Sequence, residues 1–262
     1  REYGWISESM TAIRRSFLPK DLEFEVQKHW IEGVVTVQAR QSLDETRWLL
    51  ELANENEFIK GVVGWVDLCS PEVEDQLREF SANGKLVGAR HVVQDEPDDR
   101  FMLRPDFQAG IDLLEKYNLT YDILIYPRHL PIAIALVDRF PNHKFVVDHM
   151  AKPFIKDKTM DPWKSDIREL AAYKNVWCKI SGLVTEADWQ HWRAEDFYPY
   201  IEVVEEAFGY DRIMLGSDWP VCLLAGSYEE VMNIPSGYFK YVPERIMRKI
   251  GRENCTEFYN LK

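Results

Sequence analysis

Two kinds of segment alternate along this chain. Short, nearly continuous apolar runs are separated by longer stretches whose apolar residues recur at helical spacing. The runs at residues 33–38, 58–67, 86–93, 121–126, 145–149, 176–181 and 213–218 read as strands. Helical patterns span 43–54, 105–117, 130–140, 165–173 and 197–208, and another runs from Ser70–Pro71–Glu72 to a stop at Asn83–Gly84. Strands that are apolar throughout are covered on both faces. Strand and helix repeating at roughly 25- to 35-residue intervals imply parallel pairing through right-handed crossovers. The last segment is less regular. Residues 228–232 begin a helix, Pro235, Gly237 and Pro243 interrupt it, and 244–259 is helical again, so one continuous helix over 233–241 is not expected.

The polar residues separate an open sheet from a barrel. Gln38, Asp67, His91, Tyr126, His149, Ser181 and Asp218 each stand at the C-terminal end of a different strand. In a barrel those ends converge on one mouth, whereas in an open sheet the outer ones lie far apart. The expected fold is therefore α/β, a (β/α)8 TIM barrel in one domain over residues 1–262. Only seven strands are visible and Arg1 is not an initiator methionine, so the first strand is expected upstream of Arg1.

Composition narrows the function classes. A net charge of −12 disfavours binding to a phosphate backbone, and no G-x-G-x-x-G or G-K-[ST] loop follows a strand. No run of about 18 apolar residues exists to span a bilayer. The four cysteines show no C-x-x-C spacing and fit a reducing, cytoplasmic setting, with Cys69 and Cys178 reading as buried small hydrophobes.

The chemistry centres on Gly216–Ser217–Asp218–Trp219–Pro220, where an apolar run ends in a carboxylate and a proline stops the strand. An acid there suits a general base or a metal ligand. His149 at another strand tip suits a metal ligand, a carbonyl-polarising group or a proton carrier. Asp148, its neighbour, points to the opposite face and suits a supporting role. Arg90 offers a planar fork for a carboxylate or carbonyl, or else pairs internally with the acidic run at residues 95–99. Tyr126 with Arg128, and Glu186 and Asp188 beside Trp189 and Trp192, supply further polar and aromatic groups. Lys179, inside a strand, must reach the barrel mouth, pair with an acid or face outward between helices, with a structural pair slightly favoured. His29, His129, His143 and His191 read as surface residues. With no G-x-S-x-G elbow and no base beside Cys222, activated water is the expected nucleophile.

The stretches at residues 146–153, 178–183 and 215–221, together with Gly64–Trp65–Val66–Asp67, resemble the amidohydrolase-2 branch of the amidohydrolase superfamily, and within it hydrolases of L-fuconolactone and L-rhamnonolactone. The resemblance implies a TIM barrel that opens a sugar lactone with activated water. It matches Asp218 to the acid of the last barrel strand and His149 to the histidine of the sixth. Arg90, His91 and Tyr126 fall where related lactonases contact substrate, and Glu186 and Trp219 are further candidate substrate contacts. It also implies one divalent metal, zinc, on His149 and Asp218, yet the H-x-H pair of the family's first strand is absent from this sequence. The implied partner is a small sugar lactone, with no nucleic acid or membrane, and self-association is left open. A metal-dependent decarboxylase and an inactive barrel-type binding protein are the other readings of the same resemblance.

Overall fold

The computed structural model describes residues 3–262. Seven strands, β1 (Val34–Val37), β2 (Ile59–Gly64), β3 (Leu86–Val92), β4 (Thr120–Leu124), β5 (Phe145–Val147), β6 (Val176–Ile180) and β7 (Ile213–Leu215), form one parallel sheet in chain order. Helix α1 (Pro19–Lys28) precedes them. Helices α2 (Leu43–Glu55), α3 (Val73–Ser81), α4 (Pro105–Lys116), α5 (Leu130–Arg139), α6 (Trp163–Ala171) and α7 (Ala194–Phe208) each connect one strand to the next, and α8 (Tyr228–Tyr238) follows β7. The sheet curls. Gln38, just past β1, donates to the Arg90 carbonyl on β3 at 3.0 Å, and Arg90 reaches Asp148 beyond β5 at 2.8 Å. Such links across skipped strands require a concave face. The result is the expected α/β architecture of TIM-barrel type, with β1 and β7 unpaired to each other among the described residues.

Two apolar layers hold it. Between strands and helices, side chains at helical spacing such as Phe107, Ile111 and Leu114 of α4 are fully buried with Phe145, Trp163, Ile167 and Ile201. Inside the curl, Val63, Val87, Val146, Trp177 and Met214 pack against Phe258 and Tyr259. Those last two come from the end of the chain, where α9 (Glu244–Arg248), a π turn (Lys249–Glu253) and α10 (Asn254–Phe258) run on as one helical stretch. Lys144, at the foot of β5, donates to the carbonyls of Glu257 and Phe258 at 3.0 and 3.4 Å, so the chain's last turn fills the end of the interior opposite the strand tips.

Three expectations are corrected. Helix α8 runs through Pro235 without a break. Its start is strongly fixed, because the Ser227 side chain takes the Glu230 N–H and the Glu230 carboxylate takes the Ser227 N–H at 2.8 Å. Burial of Tyr228, Val231, Ile234 and Pro235 then offsets the ladder bond that a proline removes. His129 is not a surface residue but wholly buried, accepting from the Tyr126 N–H at 3.2 Å and facing Asp99 at 3.0 Å. His143 is buried too, with its ring edge-on to Phe145 at 4.7 Å and its Nε2 unpartnered among the described residues.

Burial pushes the His143 pKa down to about 4 from its ordinary 6.5. The unfolded chain therefore takes up a proton over that interval that the folded chain refuses. The associated stability is complete above pH 6.5 and declines as pH falls to about 4, by about 3 kcal/mol in all. His143→Phe keeps the ring contact and removes the proton site. Thermal melts from pH 7 to 4 are expected to show a shallower loss of Tm for this variant, and coincident slopes would refute the assignment.

Candidate active site

Strand β5 ends at Val147, and the backbone then turns left-handed for four consecutive residues. His149, Met150, Ala151 and Lys152 have φ of 53°, 53°, 57° and 53°. Each such residue with a Cβ costs roughly 1–2 kcal/mol, so the segment must be held from outside. The Trp163 indole donates to the Met150 carbonyl at 2.7 Å, and Met150 and Ala151 are fully buried. Asp148 anchors the start of the segment, bound by Arg90 at 2.8 Å and Lys179 at 2.7 Å. Strand β7 ends in the same manner: Asp218 has φ 55°, and its carbonyl accepts the Cys222 N–H at 2.9 Å.

These two turns bring His149 and Asp218 together. His149 Nε2 lies 3.8 Å from Asp218 Oδ1, and the two side chains remain 12% and 19% exposed. That gap is too long for a direct hydrogen bond and suits a bridging water or a reacting atom. His149 Nδ1 lies 2.8 Å from Ser181 Oγ, past the tip of β6. A carboxylate facing Nε2 favours the tautomer protonated there, which assigns Ser181 as donor to Nδ1. Burial holds the His149 pKa below its ordinary value, with Lys152 and Arg90 acting in the same sense and Asp218 and Asp148 opposing it. The imidazole is thus neutral near pH 7.

Around this pair stands a polar rim. The Lys152 ammonium lies 3.8 Å from Glu186 Oε1 and 5.2 Å above the Tyr126 ring, and the Arg128 guanidinium lies 5.0 Å from the same ring. Burial raises the Glu186 pKa, Lys152 opposes this, and the Asp218 charge adds to the rise. Trp219 meets Phe17 edge-on at 5.2 Å. Phe17 belongs to the segment before α1, whose 3-10 turn Thr11–Ile13 packs on the turn Val221–Leu224.

The structure therefore gathers His149, Asp218, Ser181, Tyr126, Glu186 and Trp219 at the strand tips. Arg90 lies in the interior, with its fork taken by Asp148 and the Gln38 carbonyl rather than by the acidic run. His91 faces the opposite side of β3, as adjacent strand residues must. It is bound by Glu96 at 2.7 Å, contacted by the Trp65 indole at 3.3 Å and stacked on Phe101 at 4.6 Å. Asp67 is spent locally on the Cys69 N–H, and Asp188 is exposed on Gln190 and His191. Of the placements open to a lysine inside a strand, Lys179 takes the paired one, with Asp122 and Asp148. Lys152, Phe17 and the orienting bond from Ser181 were not anticipated. Only Lys152 left a trace in the sequence, three residues after His149.

His149 and Asp218 are close enough to share one ion, since zinc ligands sit about 2 Å from the metal. A catalytic zinc uses three protein ligands. Among the described residues no group of three or more His, Cys, Asp or Glu side chains surrounds one point. The donor set falls one short, and no step below is routed through a metal.

Comparison with known proteins agrees with this geometry. Two L-fucono-1,5-lactonases are similar to the chain. That of Burkholderia multivorans is 42% identical over 243 residues, covering 89% of this chain and 82% of the relative. That of Burkholderia ambifaria is 38% identical over 228 residues, covering 87% and 78%. The crystal structure of a Burkholderia multivorans amidohydrolase with bound zinc superposes with a TM-score of 0.96 at 37% identity, covering all of this chain and 94% of that one. The amidohydrolase family model matches residues 11–261. With an acid just past the last strand facing a histidine just past the fifth, at the mouth of a parallel, barrel-type sheet, the chain belongs to the amidohydrolase-2 family of hydrolases.

Proposed function

We propose that this protein hydrolyses a sugar lactone of the L-fucono-1,5-lactone class to the open-chain hydroxy acid. The carrying observation is the neutral, Ser181-oriented imidazole of His149 held 3.8 Å from the Asp218 carboxylate at the mouth. The activity of the two lactonases similar over most of their length supports the substrate class. In this reading the lactone carbonyl lies against His149, whose Nε2–H donates to the carbonyl oxygen. Asp218 takes a proton from water as the water oxygen bonds to the carbonyl carbon. When the ring C–O bond breaks, Asp218 returns that proton to the departing ring oxygen, and the new carboxylic acid ionises into solvent. Lys152, Glu186 and Tyr126 offer charge and hydrogen bonds to the lactone hydroxyls, and Trp219 with Phe17 forms an apolar wall. Arg90 holds Asp148 in place and does not touch substrate.

Ring opening of L-fucono-1,5-lactone, followed by proton release in weak buffer, tests the reading. Saturable hydrolysis is expected from the purified chain, whereas carbon dioxide release from an aromatic acid with no lactone opening would overturn it. Ser181→Ala should lower kcat by about 10- to 100-fold, because an imidazole without its orienting partner rotates and changes tautomer. KM should change little, which steady-state kinetics will show.

A further inference from the structure

Beneath the mouth, the barrel interior holds a run of charges that no step above uses. Lys179 Nζ bridges two carboxylates, lying 2.5 Å from Asp122 Oδ2 and 2.7 Å from Asp148 Oδ1. Arg90 closes the far end on Asp148 Oδ2 at 2.8 Å. The near end is closed by the Tyr259 hydroxyl, which donates to Asp122 Oδ2 at 2.7 Å. Asp122 is wholly buried and Asp148 is 1% exposed. Among the described residues the second oxygen of Asp122 finds no partner, so Lys179 and Tyr259 are the groups that satisfy that carboxylate. The ammonium also sits 5.6 Å over the Tyr259 ring. A cation shared between two acids settles according to what else each acid receives.

We infer that Tyr259 is a positioning residue for the catalytic histidine. Its hydroxyl satisfies Asp122, which leaves Lys179 available to Asp148, and Asp148 anchors the left-handed segment that presents His149. Without that hydroxyl, Asp122 draws the ammonium toward itself, the hold on Asp148 loosens, and the strained turn relaxes away from Asp218. Tyr259 and Asp122 lie 137 residues apart in sequence, and neither is placed at the mouth. The inference rests on the lactonase reading for its kinetic arm only.

Tyr259→Phe removes one oxygen and keeps the ring against Phe258 and Lys179. The expected result is a fall in kcat of about tenfold, comparable to one lost hydrogen bond to a charged group, with KM unchanged within about twofold. Tm should drop by a few degrees at most. Tyr259→Phe added to Asp122→Asn should cause little further loss, because both act through the same carboxylate. Unchanged kcat, a loss confined to KM, or full additivity with Asp122→Asn would overturn the proposal. A crystal structure of Tyr259→Phe supplies an arm independent of substrate: a His149–Asp218 separation altered from that of the wild-type chain supports the inference, and an identical one defeats it. Should the wild type open no lactone, that arm still decides the positioning role while the functional reading fails by itself.

Discussion

Replacing Asp218 with asparagine is expected to lower kcat for lactone opening by about 10³- to 10⁴-fold while leaving the fold intact. Asparagine keeps the shape of the side chain and removes its basicity. No hydrogen bond to the Asp218 carboxylate exists among the described residues; the neutral imidazole of His149 lies 3.8 Å away. What fixes the residue is its backbone, through the carbonyl that accepts the Cys222 N–H, and asparagine tolerates the left-handed φ of 55° at least as well as aspartate. Tm should therefore stay within about a degree or two of wild type, since surface-type changes without lost contacts cost little. KM should also hold, because the lost proton transfer belongs to the transition state alone. A variant that keeps a tenth of the wild-type kcat would remove Asp218 from the role of base.

The second large effect comes from a residue with no side chain. Gly182 has φ +62°, and a Cβ built there would lie 2.6 Å from His149 Nδ1 and 2.7 Å from its Cγ. Neither distance is tolerable, and the obstacle is a ring wedged between Ser181 and the Asp218 side. Gly182→Ala should thus act twice. Left-handed backbone at alanine costs about 1 kcal/mol in stability. The displaced imidazole should lower kcat about 100-fold or more, the penalty typical of a misplacement near 1 Å. Circular dichroism melts and steady-state kinetics separate the two effects. A Gly182→Ala enzyme with wild-type kcat would mean that His149 has room to spare, against the close packing described above.

All seven strands were legible from their apolar runs, and every helix between them was too. The boundaries failed in one consistent direction. The runs extend to His149 and Asp218, whereas β5 stops at Val147 and β7 at Leu215. Positive φ normally announces itself by glycine or asparagine, and here it falls on His, Met, Ala, Lys and Asp, held by tertiary contacts that no local pattern encodes. The strand tips told which residues are polar but not which way they face. A shift of one residue separates Arg90, inside the barrel, from His91, packed against Phe101 and Phe107. Arg90's partner, Asp148, lies 58 positions away, so the nearer acidic run looked the more natural choice. The histidine–carboxylate pair was legible because each residue ends an apolar run in the sequence, two or three positions past the strand itself. Phe17, on a segment with no periodicity, was not.

The way residues 258 and 259 occupy the barrel's lower interior bears on how the protein is made. A ribosome releases the strands one at a time, and Asp122 emerges long before the tyrosine that satisfies it. Residues 258 and 259 follow every strand in the chain, so the foot of the curl is filled only after all seven strands have been made.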